Sequence, residues 1–212
     1  IKISKQDVTT GKELPGATLQ VMDKYGNVIS QTQTIRNWWG SGVVIPGRGF
    51  IMNNAMADFS AKAGVRTTQG LAYGMANAIR PGKTPLSSMS PTIVMKDGKP
   101  VLSVGAAGGP RIITSTLQLI INNLDYGMMM DSAVKHPHMC CLTLNQGLEL
   151  EEGFSPDTIK LLAAKGHIIK NTTDFGELLV MPNGIRNIDG TFFPGGTSRV
   201  DGGGGAVTAS GT

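Results

Sequence analysis

Strict alternation of apolar and polar residues first appears at residue 17. Ala17, Leu19 and Val21 interleave with Thr18, Gln20 and Met22, the period of a strand with one face turned inward. Asp23-Lys24-Tyr25-Gly26-Asn27 reads as a turn, and a second strand from Val28 to Ile35 completes a hairpin. One face of that strand carries Ser30, Thr32 and Thr34, an unusually polar set for a surface that is to be buried. Beyond Trp38-Trp39-Gly40-Ser41-Gly42, the pattern predicts two short apolar strands, Val43–Ile45 and Phe50–Met52, around Pro46-Gly47. Residues 53–84 have no clear period and are rich in Ala, Gly and Asn. They predict a long surface excursion, a length of loop that is usually functional or mobile.

Order returns at Pro85-Leu86-Ser87-Ser88-Met89-Ser90-Pro91-Thr92. Proline at each end fixes φ and biases the residue before it towards an extended form, so this serine loop is stiff. A strand over Thr92–Met95 follows, then the turn Asp97-Gly98 and a return strand over Val101–Val104. That strand runs into Gly105-Ala106-Ala107-Gly108-Gly109-Pro110. A helix is predicted next, with Ile113, Leu117, Ile120, Ile121 and Leu124 as its apolar stripe and Pro110 at its first position. A second helix over 156–165 has Ser155 as N-cap, Asp157 in its first turn and Gly166 as its stop. Strands are expected at His167–Lys170 and Leu178–Met181, with Pro182-Asn183-Gly184 as a turn, and the glycine-rich end from Gly202 is expected to fray. There is no internal repeat. Strand pairs followed by helices predict a layered α+β sandwich.

Composition narrows the function classes. At 212 residues, 40% hydrophobic and 16% charged, the chain is globular and long enough for one well-cored domain. Its net charge of +4 is not gathered into any run of Lys and Arg, which argues against nucleic acid as a partner. No apolar run is long enough to span a bilayer. Cys140 and Cys141 are adjacent, so there is no disulfide framework and the redox compartment stays open.

Chemistry could sit at three places. Gly108-Gly109, between a strand and a helix, lets the backbone approach a ligand closely and presents free N–H groups to an anion or an oxyanion. It is not a phosphate loop, because the Lys and Ser/Thr of that motif do not follow it. Asp58, in Met56-Ala57-Asp58-Phe59-Ser60, could receive an amino group or simply cap a turn. His136, His138, Cys140 and Cys141 invite a metal reading, but Pro137 and the adjacent thiols give poor tetrahedral spacing, and no metal site is assigned. No Ser-His-Asp set can be picked out from spacing.

Taken together, Gly40 to Gly47, Asn53-Asn54 with Asp58-Phe59-Ser60, Pro81-Gly82-Lys83 with the serine loop, and Gly105 to Thr114 resemble the small, C-terminal subunit of gamma-glutamyltransferases. The resemblance covers roughly residues 17–200. It implies an N-terminal-nucleophile hydrolase fold, here the small-subunit half of an αββα four-layer sandwich. It also implies an enzyme that cleaves its own precursor, then moves the acyl group of gamma-glutamyl amides such as glutathione to water or an amino acid. The implied domain is 17–205, with 1–16 as an extension or precursor linker and 206–212 as a tail. Ser87 and Ser88 would bind the glutamyl carboxylate and Asp58 its amino group. The N–H groups of Gly108 and Gly109 would form the oxyanion hole, and Thr34 would hydrogen-bond the nucleophile. The implied partners are a large N-terminal subunit of the same precursor and a small gamma-glutamyl substrate. No cofactor is implied, and the location would be periplasmic or extracellular.

Three residues depart from that family pattern. Gly16 stands where the nucleophilic threonine belongs, and the nearest hydroxyls, Thr18, Thr10 and Thr9, are out of register. Arg36 replaces an asparagine that touches substrate, and Ala55 replaces a polar substrate contact. An inactive homologue serving as a binding or structural subunit is therefore the alternative. Residues 1–27, with Thr9-Thr10-Gly11-Lys12-Glu13-Leu14-Pro15-Gly16-Ala17, also resemble the opening of B-type repeats of Gram-positive surface adhesins, where Lys2 or Lys5 would be the crosslinking lysine of a surface module. Without its large subunit, the chain is expected to be poorly soluble or to aggregate.

Overall fold

A computed structural model describes residues 17–67, 71–143, 147–173 and 180–199. The first hairpin forms as its alternation predicts: β1 (Ala17–Met22) pairs antiparallel with β2 (Val28–Gln33), and Thr18 faces Thr32 across the ladder. Asp23 closes the turn, its carboxylate accepting from the N–H groups of Tyr25 and Asn27 at 2.9 Å each. A four-stranded antiparallel sheet follows, in the order β3 (Thr92–Lys96), β4 (Lys99–Ala107), β8 (Met181–Ile188), β9 (Thr191–Gly196). A smaller sheet holds β5 (Met139–Cys140), β6 (Leu148–Glu151) and β7 (Ile169–Thr173), with helix α3 (Pro156–Ala164) crossing between its parallel pair β6 and β7.

Strand β4 is the centre of the molecule, and its alternation sorts the layers. Leu102 and Val104 join Leu119 of α1 (Ile112–Leu124) and Met130, Ala133 and Val134 of α2 (Met130–Lys135) in one buried core. Each of the Leu, Val and Met side chains contributes about 1.5–3 kcal/mol when fully buried. The opposite face, Ser103 and Gly105, receives the β1–β2 hairpin. Ser103 Oγ donates to Gln20 Oε1 at 2.5 Å, Ser30 Oγ donates to the Val104 carbonyl at 3.2 Å, and Asn183 Nδ2 of β8 donates to the Thr18 carbonyl at 2.7 Å. A Cβ on Gly105 would lie 2.8 Å from both Gln20 Nε2 and Thr18 Cγ2, so the absence of a side chain is what lets the two layers close. The polar face of β2 is thus the inward one, and its inward hydroxyls meet β4 instead of water. The outward face holds Leu19, Val21 and Ile29, the last 53% exposed.

Several sequence expectations need correction. The strands expected at 43–45 and 50–52 reduce to a single bridge, Val44 to Ile51, with Val43, Val44, Phe50 and Met52 exposed. The described contacts to that ribbon are polar ones at the Met52 carbonyl, from the Ser41 N–H at 2.9 Å and Ser41 Oγ at 3.1 Å. Its four exposed apolar side chains recruit no further pairing among the described residues. Helix α1 buries Ile112, Ser115, Thr116, Leu119 and Asn123, while Ile113, Leu117 and Leu124 of the predicted stripe face outward. Pro110 lies two residues before Ile112, in a 3-10 turn over Gly109–Arg111 that runs directly into the helix. Pro182-Asn183-Gly184 is no turn: it is the start of β8, paired with Ala106, Gly105 and Val104, and the reversal comes at Asp189-Gly190 instead. The strand predicted at Leu178–Met181 lies partly outside the described residues, and β7 starts two residues later than its predicted His167. The α3 prediction holds, with the Thr158 N–H on Ser155 Oγ at 3.1 Å. So does the second hairpin, with Asp97 at φ 50° and Gly98 at φ 75°.

Candidate acyl-binding site

The stiff serine loop and the glycine pair meet. Ser88 Oγ donates to the Gly109 carbonyl at 2.8 Å, across 21 residues of sequence. The loop is braced internally: Ser90 Oγ reaches the Ser88 carbonyl and Thr92 Oγ1 the Ser90 carbonyl, both at 3.1 Å, while the Met89 N–H donates to Ser87 Oγ at 3.2 Å. Ser87 is exposed and Ser88 half-buried. Gly108 at φ 139° and Gly109 at φ 60° bend the chain out of β4 through conformations that side chains resist. Among the described residues, no hydrogen bond uses either N–H. Two free donors at the head of a 13-residue helix and its leading turn are a place where negative charge is stabilised.

Arg111, next in that turn, is clamped by a carboxylate from the smaller sheet. Its Nε and Nη2 reach Glu149 Oε2 at 3.0 and 2.9 Å, and Lys170 Nζ takes Glu149 Oε1 at 2.8 Å. Burial pushes the Glu149 pKa up, but the Lys170 hydrogen bond and Arg111 more than offset it, and the carboxyl lies below its ordinary value. Glu149 therefore fixes the glycine turn from behind.

The second cluster gathers Thr34, Arg36 and Asp58. Asp58 ends a 3-10 turn over Ala55–Asp58, and Arg36 Nε donates to its Oδ1 at 2.6 Å. Thr34 Oγ1 accepts from the Arg36 N–H at 2.8 Å. Asn77 joins this cluster to the serine loop: its Nδ2 donates to the Asp58 carbonyl at 2.7 Å, and its Oδ1 accepts from the Leu86 N–H at 3.0 Å. Lys83 Nζ donates to the carbonyls of Ala76 and Ala78 on either side of it. Sequence reasoning passed over Asn77, Glu149 and Arg111. An asparagine in an Ala- and Gly-rich stretch carries no local signal, since both of its partners come from tertiary structure.

Thr18 is placed elsewhere. Its side chain packs on Gly105 between the two sheets, and its Oγ1 is buried without a hydrogen-bond partner among the described residues. It shares no hydrogen bond with the Ser88–Gly109 contact. Gly16, Thr9, Thr10, Lys2 and Lys5 lie outside the described residues. The cysteines diverge, Cys140 buried and Cys141 exposed, and no described group of three or more His, Cys, Asp or Glu could hold a metal ion. His138 is buried with both ring nitrogens unpartnered among the described residues, and burial followed by the nearby Arg199 lowers its pKa to about 4.

The model of the family described as gamma-glutamyltranspeptidase matches residues 4–203. The chain belongs to the gamma-glutamyltranspeptidase family. It is 47% identical over 167 residues to the glutathione hydrolase proenzyme of Escherichia coli, covering 77% of this chain and 29% of that protein. The corresponding proenzyme of Bacillus subtilis strain 168 is 41% identical over 147 residues, 69% of this chain and 23% of that one. Among solved structures, a variant of Helicobacter pylori gamma-glutamyltranspeptidase superposes with a TM-score of 0.77 at 40% identity, over 86% of this chain and 98% of that chain. The Pseudomonas nitroreducens gamma-glutamyltranspeptidase complexed with L-DON gives 0.79 at 34% identity, over 90% and 99%. The chain thus spans less than a third of the length of these proenzymes and nearly all of the single chains in the gamma-glutamyltranspeptidase structures. Its hairpin, four-stranded sheet and helices are the α+β architecture of that family, the small-subunit half of the αββα sandwich.

Proposed function

We propose that this chain is the small-subunit part of an acyl transferase or hydrolase acting on gamma-glutamyl amides, the class to which glutathione belongs. The observation that carries the reading is the Ser88–Gly109 hydrogen bond, which joins the serine loop to the two free amide donors. In this reading the Ser87 hydroxyl, which accepts from the Met89 N–H and keeps its own O–H, holds the acyl group's carboxylate. Ser88 Oγ joins it by turning its one O–H from the Gly109 carbonyl to the ligand, and Asp58 lies on the amino side. The scissile carbonyl oxygen takes the Gly108 and Gly109 N–H groups. A hydroxyl attacks that carbonyl carbon, the oxyanion forms against the two donors, and the amine leaves with a proton. The acyl-enzyme then passes its acyl group to water or to an amino acid. Thr34, whose oxygen accepts from Arg36, keeps its own O–H to donate to the nucleophile.

Gly16 has no hydroxyl, which leaves Thr18 as the nearest candidate nucleophile along the chain. A large subunit from the same precursor is the proposed partner. The outward apolar face of the first hairpin, Leu19, Val21 and Ile29, suits its cover, and the relatives' description as proenzymes agrees with processing. A periplasmic or extracellular location is proposed with it, and no described helix is long and apolar enough to cross a membrane. The test is intact mass with N-terminal sequencing after incubation with a reactive gamma-glutamyl analogue. An adduct on a newly exposed Thr18, Thr10 or Thr9 supports the enzyme. Saturable binding without an adduct supports the second reading, an inactive homologue that keeps the pocket, which Gly16, Ala55 and the buried Thr18 hydroxyl favour.

A further inference from the structure

Arg36 is fixed in place by this chain's own groups. Its backbone lies at φ 75°, a region that long side chains seldom adopt. Every guanidinium nitrogen has a partner: Nε on Asp58 Oδ1 at 2.6 Å, Nη1 on Asn37 Oδ1 at 2.9 Å, Nη2 on the Ala57 carbonyl at 3.4 Å. Asn37 is held in turn, its N–H on Asn54 Oδ1 at 3.2 Å, and the Asn54 N–H donates to the Ile35 carbonyl, also at 3.2 Å. The Asp58 carboxylate, which the proposed function sets on the amino side of the acyl group, therefore already has a resident cation, at the distance a ligand's ammonium would take.

We propose that Arg36 is a specificity-determining residue: it fills the cation place at Asp58, so the pocket prefers dicarboxylic acyl groups without an α-ammonium, the glutaryl type, over the gamma-glutamyl type. This rests on the acyl-pocket reading above. The ion pair cancels the negative field that would draw an ammonium, and an incoming ammonium meets the guanidinium as a like charge at close range. The guanidinium also has five N–H groups and no acceptor; three are engaged, so the surplus suits an oxygen and cannot receive another N–H. Selectivity then comes from repulsion of the ammonium as much as from attraction of the acyl carboxylate.

The test is calorimetric titration of glutarate and L-glutamate. The 212-residue chain is used alone and together with the large subunit of the Escherichia coli relative, as wild type, Arg36→Asn and Arg36→Lys. Wild type is expected to bind glutarate at least tenfold more tightly than L-glutamate. Arg36→Asn frees Asp58 and reverses that order, while Arg36→Lys keeps a cation there and keeps the wild-type order. Equal or tighter binding of L-glutamate by wild type overturns the proposal and leaves the acyl pocket standing. An order unchanged in Arg36→Asn, or lost equally in Arg36→Lys, also overturns it, the latter by assigning the effect to loop distortion. If neither acid binds any form, the acyl-pocket reading falls and the proposal with it.

Discussion

Replacing Asn77 by alanine tests whether the two halves of the proposed site are one unit. The side chain makes two hydrogen bonds, to the Asp58 carbonyl at 2.7 Å and from the Leu86 N–H at 3.0 Å, and it is half-buried. A typical intramolecular hydrogen bond contributes roughly 0.5–1.5 kcal/mol net, so losing both costs about 1–3 kcal/mol. The cost falls unevenly. Leu86 opens the serine loop, whereas the four-stranded sheet draws on neither bond, so the loop loosens before the core does. Native-state hydrogen exchange reads this out: in Asn77→Ala the Leu86 amide is expected to lose at least tenfold in protection while amides of β4 change little. In the same variant, affinity for a dicarboxylic ligand should fall, because the Ser87 and Ser88 hydroxyls are less well placed. Unchanged protection at Leu86, or equal loss at Leu86 and throughout β4, would show that Asn77 does not tie the two halves together. Asn77→Asp is the companion variant. It keeps the acceptor for Leu86 but sets a carboxylate oxygen against the Asp58 carbonyl, so protection at Leu86 should survive while global stability drops.

Three further perturbations follow from the core. His138 titrates at an ordinary 6.5 when unfolded and near 4 when folded, held down by burial and then by Arg199 and His136 against a partly opposing Glu151. Between those values the unfolded chain takes up the proton and the folded chain does not, so stability falls as pH drops from 6.5 to about 4, by on the order of 3 kcal/mol, and this contribution levels off below. Urea denaturation across that range should show the slope in wild type and lose the His138 share of it in His138→Phe. That leaves, near pH 4.5, the part due to Glu149 and Glu151, whose folded values are lowered. The substitution also removes two buried nitrogens that are unpartnered among the described residues. Arg199→Met takes from Glu151 its ion-pair partner, whose Nη2 lies 2.5 Å from Oε2 with both side chains essentially inaccessible, and is expected to cost about 3–5 kcal/mol by the same assay. Gly105→Ala pushes a methyl to 2.8 Å from Thr18 and Gln20, overpacking the hairpin against β4. It should destabilise by about 1–3 kcal/mol, visible as a lowered Tm.

Local chemistry was legible where local chemistry decides. The Asp97-Gly98 turn and the Ser155 cap use signals confined to a few residues, and both are found where they were expected. The polar stripe on the second strand was legible as an anomaly, and its meaning came from β4, whose Ser103 and Gly105 leave room for hydroxyls and a glutamine. Helix α1 misled because its packing face mixes Leu119 with Ser115, Thr116 and Asn123, while more hydrophobic Ile113 and Leu117 lie outward. Helix α2 has six residues, too few to show a 3.6 period. Pro182-Asn183-Gly184 has turn composition, yet Gly184 is needed because a Cβ there would sit 2.7 Å from the Met130 side chain and 2.8 Å from that of Val104. At the site, the serine and glycine motifs could be picked out, but the ion pair of Arg36 with Asp58 and the bridge through Asn77 span 22 and 9 residues of irregular chain. No periodicity encodes such contacts.

Ser87, Ser88, Gly108 and Gly109 are proposed to form a single acyl-binding site. Its most direct test is to follow the backbone amide resonances of these four residues while a dicarboxylic acid such as glutarate is titrated into the chain, with the large subunit of the Escherichia coli relative present. All four are expected to move together along one saturation curve, and Ser88→Ala to weaken that curve while leaving the chain folded. Saturable shifts that leave Gly108 and Gly109 untouched, or no saturable shift in either pair, would contradict it.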